Sequence, residues 1–157
     1  MWLLGVHGRF GRIDGSVRTD PFRNQLRVDA RIDVANVHMS RRSYEDWVKS
    51  DEFFDARAHP QITFVSEPFP RARLHTGGEL PGELTVRGIR QSVRFELLPS
   101  ECSEPAYACP IRVEGAIRRS ALQGCNANYK KAIKYISNTS THTIAMHYSN
   151  LLPLNVL

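Results

Sequence analysis

The stretch that decides the fold reads DEFFDARAHPQITFVS, Asp51 to Ser66. Two acids and the adjacent pair Phe53 and Phe54 lead into His59-Pro60, and an alternating run, Ile62-Thr63-Phe64-Val65-Ser66, follows. Proline disfavours helical geometry at the residue before it, so a helix entering this stretch must stop near Ala58-His59. The run beyond has the period of two expected of a strand with one face buried, and Ile62 and Phe64 share that face. The segment reads as a joint: a helix end, a forced break and a strand, with aromatic rings where they meet.

Upstream, SRRSYEDWVKSDEFFDA supplies the helix. Ser43 is followed three residues later by Asp46, a capping-box-like start, and Glu45 and Asp46 suit the positive end of a helix dipole. Tyr44, Trp47 and Val48 fall at helical spacing and can face one side. Trp47, Phe53 and Phe54 are then placed where this one short helix joins the rest of the fold, as a plug or as a gate.

Working outward, the rest of the chain alternates. Val28, Ala30, Ile32 and Val34 share one face of the run from Leu26, and Arg27, Asp29, Arg31 and Asp33 share the other. Val93 to Leu97, Ile111 to Glu114 and Thr139 to Tyr148 also read as strands, the last rich in β-branched residues. NANYKKAIKY, residues 126 to 135, is ambiguous between strand and helical turn. Turn signals at Thr76-Gly77-Gly78, Arg87-Gly88 and between Pro99 and Pro110 separate these runs. Many short strands at such spacing predict an all-β sandwich or barrel. An antiparallel barrel of about eight strands is either filled by side chains or able to hold one small ligand.

The chain of 157 residues fits one domain and is long enough to bury about two thirds of its unfolded surface. Its net charge of +5 is nearly all arginine, since Lys49, Lys130, Lys131 and Lys134 are the only lysines. A basic nucleic-acid or membrane-surface binder is one reading of that balance. Arginines that alternate with acids along strands favour a solvated face instead, and no nucleic-acid partner is expected. No apolar run approaches the roughly eighteen residues of a membrane helix. The apolar start, Met1 to Gly8, is too short and has no basic leader, so it is not read as a signal peptide.

Catalytic and metal chemistry is not legible. No Gly-x-Ser-x-Gly elbow or phosphate-binding glycine loop occurs, and Asp51, Glu52 and Asp55 read as helix-surface and turn acids. The six histidines are scattered, with no zinc-type spacing. No enzyme activity, metal or cofactor is therefore expected. Cys102 and Cys109 bracket SEPAYA and can face each other across a turn within disulfide reach. Two free thiols are the equal alternative, and Cys125 is left over.

The opening stretch also carries a resemblance. FFDARAHPQITFVS resembles the hallmark of the YceI-like family, lipocalin-like polyisoprenoid-binding proteins. GRFGRIDGSV (8–17), GELTVRGIRQSVRFEL (82–97) and GAIRRSALQGCNA (115–127) are similar to further family segments, in the same order. Ala121-Leu122-Gln123-Gly124-Cys125 departs from the family's Phe-Gly-Met. The resemblance implies a lipocalin-like antiparallel barrel with a helix beside it, holding a long-chain lipid such as a polyisoprenoid quinone, its precursor or a fatty amide, for transport or storage. It also implies a periplasmic setting and a homodimer. The single domain would span 1–157, with a shortened N-terminal strand that exposes an edge, and an apolar tail over 150–157. The expected tunnel lining is Val28, Ala30, Ile32, Val34, Phe54, Ile62, Phe64, Leu84, Val86, Val93, Phe95, Leu97, Ile111, Val113, Ile144 and Met146.

Overall fold

The structure, a computed structural model, describes residues 6–10, 13–20, 22–118, 132–138 and 141–147, with side-chain detail within 8–115. The tail 150–157 and residues 126–131 lie outside the described residues. Eleven strands are β1 (Val6–Phe10), β2 (Ile13–Asp20), β3 (Gln25–Asp33), β4 (Val37–Met39), β5 (Gln61–Ser66), β6 (Phe69–Pro70), β7 (Gly78–Val86), β8 (Ile89–Leu97), β9 (Val113–Arg118), β10 (Ala132–Asn138) and β11 (Thr141–His147). Among the described residues two helices accompany them, α1 (Arg42–Lys49) and the single-turn α2 (Arg73–Thr76). The ambiguous 126–135 segment thus contributes to a strand, β10.

The sheet order is β2-β3-β5-β7-β8-β9-β10-β11-β1-β4, with every pairing antiparallel and β6 added beside β3. Its two ends belong to one bent hairpin. β2 pairs with β3 up to Ile13↔Ile32, and β1 pairs with β4 from Phe10↔Val37. Residues 11–12 separate these pairs on one side and 33–36 on the other, so the second strand carries two more residues through the corner. A 3-10 turn at Val34–Asn36 absorbs them, fixed by Asp33, whose carboxylate accepts from the Ala35 amide (2.9 Å) and the Asn36 side-chain amide (2.8 Å). With each bent strand counted once, the pairings form a curled ring of eight strands, the antiparallel barrel expected from the sequence. The first strand does not leave an open edge: β1 is paired on both sides, with β11 and β4.

The strand faces follow the alternation. In β5 Ile62, Phe64 and Ser66 are buried, and in β8 Phe95 and Leu97 are buried while Arg94 and Glu96 are exposed. Arg87 and Gly88 both take positive φ, 54° and 73°, which suits the tight β7–β8 hairpin. Ser66 is the one buried polar residue of the described core, and its hydroxyl accepts from the Val28 amide at 2.8 Å, where the β3–β5 ladder ends.

The helix differs from its expectation. It begins at Arg42, one residue before Ser43, and Arg41 at its N-cap makes no side-chain bond. It ends at Lys49 rather than near Ala58 because the backbone of Ser50 turns extended, at φ −68° and ψ 170°, while its hydroxyl caps the last turn by donating to Trp47 O (2.7 Å). Asp55, at φ 50°, then reverses the chain, and its carbonyl accepts from the Ala58 and His59 amides. Helix α2 is an addition to the one helix expected. It stops at Gly77 and Gly78, both at positive φ, as the turn signal there requires.

Candidate functional site

The barrel has two unlike ends. At the helix end, Phe53 and Phe54 are each 1% exposed and meet edge to face at 4.6 Å between centroids. Trp47 packs on Phe53 at 4.9 Å, and Phe10 from β1 approaches Phe54 at 6.3 Å. Val34, Val37 and Val48, all at 0% exposure, complete the cluster. Arg87, at the β7–β8 turn, donates to the carbonyls of Asp51 and Phe53 and ties the turn to the segment that carries the aromatic cluster. This end is filled by a plug of buried aromatic side chains. Glu45 fastens α1 from outside: its carboxylate accepts from Lys49 Nζ (2.8 Å) and from the Met39 amide (3.3 Å). Those bonds, Lys49 first, hold its pKa below the ordinary carboxylate value.

The wall above the plug can be read in register rows. Ile13, Ile32 and Ile62 are successive partners, as are Val86 and Ile89, and this lowest row is aliphatic. The next row is Gly15, Ala30, Phe64, Leu84 and Gln91. Above it come Val17 with Val28 and Ser66 with Gly82 and Val93, and then Thr19 with Leu26 and Leu80 with Phe95. Two glycines shape this interior. An added β-carbon at Gly82 would lie 2.6 Å from Phe64 Cε2, and one at Gly115 would overlap the Phe95 ring. Each ring leans on the bare backbone of a neighbouring strand, and the two rings meet at 4.9 Å.

Of the expected lining, Val28, Ile62, Phe64, Leu84, Val86, Phe95 and Leu97 are buried on the inner face, and Ala30, Ile32, Val93, Ile111 and Val113 are partly buried against the same core. Val34 and Phe54 belong to the plug instead of the wall. Ile111 precedes β9 rather than lying on it; beside it, the Leu98 amide donates to Arg112 O at 2.9 Å. Ile144 and Met146 lie on β11, but their side chains are outside the described residues.

Gln91 is not among the expected lining residues. It shares the face of Val93, Phe95 and Leu97, a parity legible in IRQSVRFEL. Its side-chain nitrogen Nε2 is buried, with no hydrogen-bond partner among the described residues.

The opposite end is a rim built from the β2–β3 turn, α2 and the loop from Pro99 to Arg112. Cys102 and Cys109 are joined across that loop, with Cα atoms 6.4 Å apart. The loop carries Tyr107 to β2, where its hydroxyl lies 3.3 Å from Thr19 Oγ1, and Arg71 stands 5.8 Å from its ring centroid. The Thr19 bond and then Arg71 lower the Tyr107 pKa. Phe22, at the turn, is 97% exposed. Beside this turn Arg18, Thr19, Asp20, Arg23, Gln25, Leu26, Arg27 and Pro68 line a cleft, and Arg18 also pairs with Asp29. Among the described residues no group of three His, Cys, Asp or Glu side chains is placed to hold a metal ion, and no helix is long and apolar enough to cross a membrane.

Known proteins share this architecture. The profile of the YceI-like domain matches residues 1–147. No curated protein matches the sequence. Among solved structures, BcnA of Burkholderia cenocepacia superposes with a TM-score of 0.58 at 20% identity, covering 91% of this chain and 93% of its own. The YceI protein of Campylobacter jejuni gives a TM-score of 0.57 at 17% identity, with 83% of each chain covered. A mutant of that protein gives 0.63 at 18% identity over the same shares. At these identities the likeness is one of fold.

Proposed function

The chain belongs to the YceI-like domain family, and we propose that it is a binding protein that carries or stores one long-chain amphiphilic lipid inside its barrel. The ligand is a polyisoprenoid, such as a quinone or its precursor, or a fatty amide. The observation that carries this reading is the inner wall: successive register rows are mostly apolar, and Gly82 and Gly115 let Phe64 and Phe95 lean toward neighbouring strands. Such a wall needs no single decisive contact. Each isoprene unit that leaves water contributes about 25 cal/mol per Å² of apolar area, and a long chain sums many such units. With the helix end stoppered by Phe53 and Phe54, the lipid exchanges at the rim.

The test is extraction of unheated, purified protein with organic solvent, followed by mass spectrometry. A co-purifying prenyl or acyl lipid, with thermal protection by added prenyl quinone, is the expected result. If a prenyl-lipid-producing host yields protein with no bound lipid, and added quinone does not raise the melting temperature, the carrier reading is wrong.

A further inference from the structure

Most of the inner wall is hydrocarbon, and Gln91 is out of place on it. Two features of its surroundings define what it does. First, its Nε2 is buried without a partner, whereas Ser66, the buried hydroxyl elsewhere in the described core, is satisfied by the Val28 amide. A buried amide donor left unpaired is costly, so folds seldom retain one without a use. Secondly, its register row is unevenly filled. Across the sheet from Gln91 come Leu84 and Phe64, and then Ala30 and Gly15. At Gly15 an added β-carbon would meet only the Asp29 carbonyl, at 3.8 Å. The Phe64 ring leans toward Gly82, one row nearer the rim. Small residues thus face the amide across its own row.

We propose that Gln91 is the head-group contact of the bound lipid: its side-chain amide donates to an oxygen acceptor, a carbonyl or ether, at the polar end of the ligand. This rests on the carrier reading and deepens it. Gln91 lies two residues from the β7–β8 turn, one row above Ile89 and the stopper. A lipid bonded there sits with its head deep and its apolar chain running past Phe64 and Phe95 to the rim. The barrel therefore distinguishes a polar-ended isoprenoid from a plain hydrocarbon, a distinction that an all-apolar wall cannot make. Loss of a partner for a buried donor is what gives the discrimination its size.

The experiment compares two probes of four isoprene units each, the prenyl ketone geranylgeranylacetone and the hydrocarbon phytane, on wild type, Gln91→Leu and Gln91→Met. Wild type should bind the ketone more tightly. Both variants should lose about tenfold in ketone affinity, the size of one hydrogen bond to a buried donor, with phytane binding unchanged or improved. Ligand-free Gln91→Leu should unfold at the same denaturant concentration as wild type or higher, because an unpaired donor has been removed. A drop in that midpoint, or equal losses for both probes, would make Gln91 a packing residue and overturn the proposal. Unchanged ketone affinity in both variants overturns it as well, while leaving the carrier reading intact. If wild type binds neither probe and carries no lipid on extraction, the carrier reading falls and this assignment falls with it.

Discussion

The Phe95 ring rests on Gly115 of the neighbouring strand, in space that any side chain at 115 would occupy. The contact is possible because β9 presents bare backbone there. Replacing Gly115 with alanine pushes the ring toward Phe64, already 4.9 Å away, and should destabilise the protein by about 1–3 kcal/mol through overpacking. Urea unfolding measures this. The loss should be largely relieved in the double variant Gly115→Ala/Phe95→Leu, and additive losses in the pair would refute the contact as its cause.

Truncating the plug should cost more. Phe54→Ala opens a cavity beside Phe10 and Phe53, and large-to-small changes of this type cost about 3–5 kcal/mol. Phe22→Ala, at a position 97% exposed, should stay within about 0.5 kcal/mol of wild type. Equal midpoints for the two variants in chemical denaturation would contradict the assignment of the helix end as a closed core.

Glu45 gives the acid limb of stability a specific contributor. Its folded pKa is lowered by the bond from Lys49 and then by the Met39 amide. Its contribution is present above the unfolded carboxylate value and is lost as pH falls through the folded one. Glu45→Gln should therefore be less stable than wild type at pH 7, with the gap narrowing as pH falls to about 3. A gap that is constant across urea midpoints from pH 7 to 3 would show that the charge plays no part.

Closing the Cys102–Cys109 loop, with a sequence separation of 7, restricts a short stretch of unfolded chain and is worth about 2 kcal/mol on a chain-entropy estimate. Reductant should lower the melting temperature by roughly 4–8 °C. Cys102→Ser should reproduce that value and be insensitive to reductant. A melting temperature that reductant leaves unchanged would mean the loop is held by Tyr107 and its Thr19 and Arg71 contacts alone.

These cases also show what the residues disclose in advance. The inner faces of Leu26 to Val34 and Ile62 to Phe64 are legible because one side of each strand meets water, and period two follows from that asymmetry. The length of α1 is not legible, because Pro60 sets only an outer bound while the stop is a local choice by Ser50 and Asp55. Glu45 is similar: its distinguishing bond is to Met39, in the chain before the helix, and helical spacing does not report it. Nor can one strand disclose the corner at Val34–Asn36, since an offset between two strands exists only once they pair. Gln91 was legible by parity, yet the signal is weak. A glutamine amid apolar residues has meaning only when its burial and lack of a partner are known.

The β1–β11 pairing joins the first described strand to the last, Val6 opposite Met146. During synthesis β1 can pair with β4 early, but its other edge waits until β11 has emerged. Contacts so distant along the chain make folding slow, and until they form β1 offers an unpaired ladder to any neighbouring nascent chain. Completion of the ring, rather than formation of any single hairpin, is then the step at which this protein is most exposed to misassembly and most in need of a chaperone.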